Sequence, residues 1–336
     1  MLFRSMSLMG KLLVQGPHAA AVLSRLSAND IDREVGRVVY TQWLDPRGGI
    51  AADVTVTRQA DDRFCVVASD LIQRRIEPTV RRAIAPGEFV TVTDITAGVT
   101  ILSVQGPRSR ELLQPLTDTD LSNESFPYLT GKDTHVGNAA VWVSRVTYVG
   151  ELGFELHVPT DQAAGLYDLL MDEGAPLGVR PVGLAAMASL RLEKGYRDMG
   201  VDIDNTDTPL DAGLAFAVAW DKPGGFIGRD ALLAARAEGP SRNRVVSLFV
   251  PDPGADLFGG ESVFADGRWV GYVRAAAYGH TLGGPVGLAQ VANPDGVTAD
   301  WLAATTFTVG RAGRLFPAVL QFAAPYDPSR SRVVAS

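Results

Sequence analysis

The chain repeats itself. Lys11 to Asp30 reads KLLVQGPHAAAVLSRLSAND and Ile101 to Asp120 reads ILSVQGPRSRELLQPLTDTD, so VQGP returns at Val14 and Val104, 90 residues apart. Self-similarity of this kind marks a duplicated supersecondary unit. In both copies a β-rich run ends at Gly-Pro, and a proline is harmless at the first position of a helix, where its missing N–H has no partner to lose. Pro17 and Pro107 are therefore expected to open helices. The stripes agree too, with Val22, Leu23 and Leu26 at the offsets of Leu112, Leu113 and Leu116.

The rest of each copy follows from local chemistry. Val38 to Leu44 and Ile50 to Arg58 flank Asp45-Pro46-Arg47-Gly48-Gly49, a turn sequence, and form a hairpin. Phe64 to Ala68 reads as a strand, Asp70 to Ile84 as a helix, and Phe89 to Val92 as a closing strand. Pro78 lies inside that helix and is expected to kink or break it. The second copy supplies strands at Ala139 to Thr147 and Phe154 to Val158, then a helix from about Asp161 to Gly174. A third helix, Gly183 to Lys194, stops at Gly195, a candidate left-handed cap. From Arg244 onward β-rich segments alternate with Gly, Pro and Asp turns, the pattern of a small β-barrel. The predicted class is α+β: duplicated β-α-β units over residues 1–236, in lobes of about 1–97 and 98–236, then a barrel over 237–336.

Composition narrows the function. A net charge of −7 without a basic block disfavours nucleic acid as partner. The single cysteine, Cys65, lies in an apolar run and reads as a small buried hydrophobe. Four scattered histidines offer no metal-site spacing, so no metal is expected. No apolar run is long enough to span a membrane, and the reading is a soluble, cytoplasmic protein with a small-molecule ligand. Nucleotide-binding and serine-hydrolase signatures are missing, which argues against FAD in this chain.

Three polar groupings remain. From Asp53 onward the strand alternates, setting Asp53, Thr55 and Thr57 against Val54 and Val56. Such a face is either solvated or a rigid mount for a functional carboxylate. Tyr148-Val149-Gly150-Glu151-Leu152-Gly153-Phe154-Glu155 is either a plain hairpin tip or a site for a planar heterocycle, with a carboxylate taking two parallel hydrogen bonds and Tyr148 covering the ring. Lys194 at the third helix's end suits the helix dipole, and Arg191 can fork onto a ligand carboxylate or an internal Glu.

Together the segments SANDID, GRVVYTQWLDPRGGIAADVTVTR, TYVGELGFELHVP, SLRLEKGYRDMGVDIDNTDTPLDAGL, FIGRDAL and GYVRAAAYGHTLGGPVGLA resemble the aminomethyltransferase (glycine-cleavage T-protein) family. YTQWL, DVTVTR and YGHT are most similar to the C-terminal tetrahydrofolate domain of sarcosine and dimethylglycine dehydrogenases or oxidases. The resemblance runs from about Ser7 to Asp327. It implies a three-lobed ring with folate in a central channel. It also implies Asp53 as the catalytic carboxylate beside the reacting folate nitrogens, Tyr40 as an aromatic of the same pocket, Tyr148 and Glu155 as the pterin-site pair, and Arg191 near the folate, with Glu151 a neighbour. An asparagine of the T-protein branch falls at Ala68 or Ser69, and a tyrosine at about Met199, which sets this chain apart from true T-proteins. Family members also carry residues ahead of the position matching Ser7, so a truncated product or a detached folate subunit is expected.

The implied activity is tetrahydrofolate-dependent one-carbon transfer, coupled to flavin-dependent oxidation of sarcosine or dimethylglycine by a flavoprotein partner or a missing N-terminal domain. A folate-dependent demethylase and a non-catalytic folate-binding module stand as alternatives.

Overall fold

Strands β1 (Leu2–Ser5) and β2 (Gly10–Gln15) open the computed structural model, which describes residues 2–335. Gly16 then turns the chain at φ 128°, and Gly106 does the same at φ 119° in the second repeat. A Cβ on Gly16 would meet the Phe89 carbonyl oxygen at 2.5 Å, so this corner admits only glycine. Helix α1 (Ala19–Leu26) starts after a cap at His18, not at Pro17. The Ala19 N–H donates back to the Gly16 carbonyl, and Ser109 does so to Gly106. Each proline thus occupies the second position of a tight turn, where its fixed φ is equally well suited.

β3 (Val38–Leu44), β4 (Ile50–Ala60) and β5 (Arg63–Ala68) form a meander, followed by helix α2 (Gln73–Ala83) and strand β6 (Thr91–Asp94). Pro78 does not break α2. The carbonyl it leaves without a partner belongs to Arg74, which is exposed to water, while Ile76 and Val80 clamp the opposite face into the core. The second repeat runs β7 (Val99–Gln105), α3 (Ser109–Leu113), β8 (Gly131–Val136), β9 (Ala139–Ser144), β10 (Gly153–Pro159) and α4 (Ala163–Gly174). α3 is short because Pro115 has no N–H to extend it, and Gln114–Leu116 tightens into a 3-10 turn.

The sheets reveal what the repeat does in space. The first has order β3-β4-β5-β2-β6; the second has β8-β9-β10-β7-β1, extended by the short strand β11 (Arg180–Pro181). Each central strand takes its edge partner from the segment leading into the other repeat. β1 leads into β2 yet pairs with β7, and β6 leads into β7 yet pairs with β2. The registers correspond: Phe3 faces Val104 as Val92 faces Val14, and both edge residues are buried. The chain's first strand therefore sits in the sheet of the second lobe.

After α5 (Leu184–Glu193) and α6 (Arg229–Ala237), strands β12 (Asn243–Phe249), β13 (Ser262–Ala265), β14 (Arg268–Gly279) and β15 (Gly284–Ala292) lead to helix α7 (Ala299–Ala304). With β16 (Phe307–Arg311) and β17 (Arg314–Gln321) they close a six-stranded barrel. The α+β class with a C-terminal barrel is thus realised. Lobe one and the outer face of the barrel wall share a hydrophobic core that includes Trp43, Leu192, Ala275 and Leu288; lobe two has its own, around Phe126 and Phe154, and the barrel interior a third, around Val246 and Phe316. Cys65 is buried in the first lobe, and burial pushes its thiol up to about 12. Among the described residues no helix is long and apolar enough to cross a membrane.

Candidate functional site

Asp53 and Tyr40 lie on neighbouring strands of one hairpin. The register sets Gln42 opposite Asp53 and Tyr40 opposite Thr55, so alternation puts all four on the face away from the core, where Val54 and Val56 are buried. The Gln42 side chain donates to the Asp53 carboxylate at 2.8 Å, and the Tyr40 hydroxyl is its second hydrogen-bonding neighbour. Burial dominates and raises the Asp53 carboxyl to about 6. It remains largely ionised at neutral pH. Burial and the adjacent Asp53 charge hold Tyr40 well above the ordinary phenol value, so it stays a donor. Phe216, itself exposed, stacks on the Tyr40 ring at 6.3 Å between centroids.

The second lobe contributes the loop between β9 and β10. Thr147 accepts from the Val149 and Gly150 N–H groups, and Gly150, at φ 76°, leaves room for the Lys194 side chain. This turn presents Tyr148, whose hydroxyl donates to the Arg197 carbonyl at 2.9 Å and whose ring stacks on Tyr196 at 6.2 Å. On β10, Glu155 stands opposite Ser103 on one side and Ser144 on the other. Its carboxylate has no hydrogen-bond donor among the described residues, and burial alone raises it to about 7. Tyr148 and Glu155 line one small cavity of about 20 Å³, together with Arg4, Ser103 and Gln105. Glu151 is set apart, with the charges of Arg332, Asp327 and Lys194 around it.

Arg191 resolves its two readings. It is buried, clamps Asp202 through both terminal nitrogens, and donates to the Tyr196 carbonyl at 3.0 Å. Its partner is an internal aspartate, and the effect is to fix the loop after Gly195. Gly195 is the expected left-handed cap, at φ 62°. Lys194 does more than meet the helix dipole, since its ammonium bonds the Asp327 carboxylate at 3.0 Å and ties down the C-terminal segment. Glu193 accepts from the Thr281 N–H and hydroxyl, holding the YGHT turn of the barrel against α5.

Four participants escape the sequence reading. Asp198, in the loop Arg191 secures, is raised to about 6 chiefly by burial, and its charge reaches both Asp53 and Tyr148. Arg197 is partly buried and offsets part of the negative potential at Tyr40 and Asp53. Gln42 orients Asp53, and Gln105 closes the Glu155 cavity. The acid-rich run RDMGVDID beyond a helix cap and the glutamine inside the repeated VQGP were the available signals. The site thus combines an ionised, partly buried carboxylate able to hold a proton or a cation, flat aromatic surfaces, and an acceptor without a donor.

Comparison with known proteins agrees with this architecture. Residues 3–222 match the GCVT N-terminal domain, and residues 243–327 match the glycine cleavage T-protein C-terminal barrel domain. The chain is 38% identical to 4-methylaminobutanoate oxidase (formaldehyde-forming) of Paenarthrobacter nicotinovorans over 96% of its length, but spans 38% of that protein. It is 33% identical to mitochondrial sarcosine dehydrogenase of Mus musculus over 98% of its length, and spans 37% of it. It is 35% identical to an aminomethyltransferase of Saccharopolyspora erythraea, with 84% of this chain and 76% of that one aligned. The crystal structure of glycine cleavage system aminomethyltransferase T from Bartonella henselae superposes with a TM-score of 0.84 at 27% identity, covering 97% of this chain and 86% of that one. Two lobes built from one duplicated unit, a barrel packed against them and both domain matches in order make this chain a member of the aminomethyltransferase (glycine-cleavage T-protein) family.

Proposed function

We propose that this site binds tetrahydrofolate and loads a one-carbon unit onto it. The carbon would come from flavin-dependent oxidation of sarcosine, dimethylglycine or a related N-methyl amine by a flavoprotein partner or domain. The observation that carries the reading is the small cavity shared by Tyr148 and Glu155, where a partly buried carboxylate has no donor among the described residues to meet it. A pterin edge, with adjacent ring N–H and amino groups, supplies the missing donors. When bound, tetrahydrofolate supplies the two nitrogens that take up the carbon.

The chain's own residues then have distinct tasks. Glu155 fixes the heterocycle's edge, and Tyr148 covers its face. Asp53, held by Gln42 and Tyr40, accepts a proton from a reacting nitrogen or stabilises a cationic one-carbon donor, and its low-dielectric setting strengthens that effect. Arg191 acts at a distance, by holding the Tyr196–Asp202 loop that carries Asp198. The names of the relatives support the donor class: sarcosine dehydrogenase, aminomethyltransferase, and a human dimethylglycine dehydrogenase 35% identical over 81% of this chain.

One relative's name states that it forms formaldehyde, which favours a second reading in which the carbon is released. Partition separates the two. The protein is incubated with a flavin-dependent sarcosine dehydrogenase, sarcosine and tetrahydrofolate, and methylenetetrahydrofolate and formaldehyde are both measured. Capture is expected to rise with the protein present and to fall with Asp53→Asn. Formaldehyde yields unchanged by the protein would overturn the proposal in favour of release.

A further inference from the structure

Strand pairing lays a row of side chains across the second lobe's sheet. Arg4 on β1, Ser103 on β7 and Glu155 on β10 are register partners, so all three face the same side. Neighbouring strands lie roughly 4.8 Å apart, which separates the Arg4 and Glu155 backbones by about 10 Å. Between them stands only the small Ser103. Gln105, two residues along β7, shares that face, and all four residues line the cavity that holds Tyr148. The floor is therefore polar and its centre is left low.

Among the described residues, two atoms of this floor lack partners. Gln105 is 4% exposed, and its Nε2 donates to Ser103 Oγ at 2.9 Å and to the Val146 carbonyl at 3.3 Å, while its Oε1 has no partner. With both donor contacts satisfied, the amide orientation is fixed and its carbonyl is the free end. A Cβ at Gly153 would overlap this amide, so glycine there makes room for it. The Arg4 Nε is likewise buried without a partner, its Nη1 reaching only the Val182 carbonyl at 3.5 Å. Buried orphans of this kind cost free energy unless a ligand answers them.

We infer that Arg4 and Gln105 complete a recognition frame for a 2-amino-4-oxopyrimidine edge. Glu155 takes the ring N–H and one amino hydrogen, the Gln105 carbonyl takes the other amino hydrogen, and Arg4 donates to the oxo oxygen. Acceptor, acceptor and donor on the protein thus meet donor, donor and acceptor on the ring. The inference rests on the folate reading above and deepens it. It assigns specificity to the repeated VQGP glutamine and to a strand that leads into the other repeat.

The test is calorimetric, with the full chain, under anaerobic conditions. Wild type, Arg4→Met and Gln105→Met are titrated with tetrahydrofolate, with its 4-amino counterpart tetrahydroaminopterin, and with a 2-desamino-2-methyl analogue. Arg4→Met is expected to bind tetrahydrofolate about tenfold more weakly and to bind the 4-amino compound within twofold of wild type, because no oxo group is there to lose. Gln105→Met should show the same pattern against the 2-desamino compound. Equal weakening toward every ligand would make both residues structural, and wild-type affinities in both variants would leave the frame without them; either result overturns the inference and spares the folate reading. Wild type that fails to bind tetrahydrofolate would instead remove that reading itself.

Discussion

Asp53 is held in a form that costs stability. An ordinary aspartate titrates near 3.8, whereas burial raises this one to about 6. Below pH ~4 the carboxyl is protonated in folded and unfolded chains alike and carries no penalty. Between pH ~4 and ~6 the folded state binds more protons, so stability falls as pH rises, and above ~6 the full loss of about 1–3 kcal/mol persists. Asp53→Asn keeps the shape and removes the charge. It is expected to raise the melting temperature at pH 8 and leave it unchanged at pH 4, while lowering one-carbon transfer at least a hundredfold. Transfer by the native protein should decline as pH drops through about 6. A variant as active as wild type, or a flat profile between pH 5 and 7, would dismiss Asp53 from the chemistry.

At the scale of elements, α2 shows a local rule overridden by its surroundings. Pro78 removes one backbone hydrogen bond, but the orphaned carbonyl meets water, and the buried Ile76 and Val80 keep the helix on the sheet. Pro78→Ala should therefore stabilise the protein by about 1–3 kcal/mol, read as a shift in the urea midpoint, with no change in ligand affinity. The hairpin that carries Asp53 needed no such correction. Its turn residues and two-residue alternation were legible, because a strand buried on one face must alternate. Strands that escaped detection include Leu2–Ser5, Gly131–Val136 and Ser262–Ala265, which are short or largely polar; the first and last also pair with strands far along the chain.

At the scale of the whole molecule the two lobes depend on each other, because each sheet's central strand is covered by the lead-in strand of the other repeat. Phe3 is 3% exposed, packs edge-on against Tyr167 and belongs to the second lobe's core. Phe3→Ala should cost about 3–5 kcal/mol. Hydrogen exchange locates the damage: amides of β7 and β10 lose protection, although β2 is nearer in sequence. Preferential loss in β2 would contradict the exchange of edge strands.

The sequence by itself determined the duplication, the class of each lobe and the barrel, because these rest on period, turn chemistry and local propensity, which a linear chain records. It also marked Asp53, Tyr148 and Glu155 by type and position. Tertiary structure alone decided which strand completes which sheet, that Arg191 is spent on Asp202, and that Asp198, Gln42 and Gln105 join the site. Those outcomes depend on which groups are brought together and cut off from water. Burial shifts a carboxylate or orphans an amide only once distant segments have closed around it.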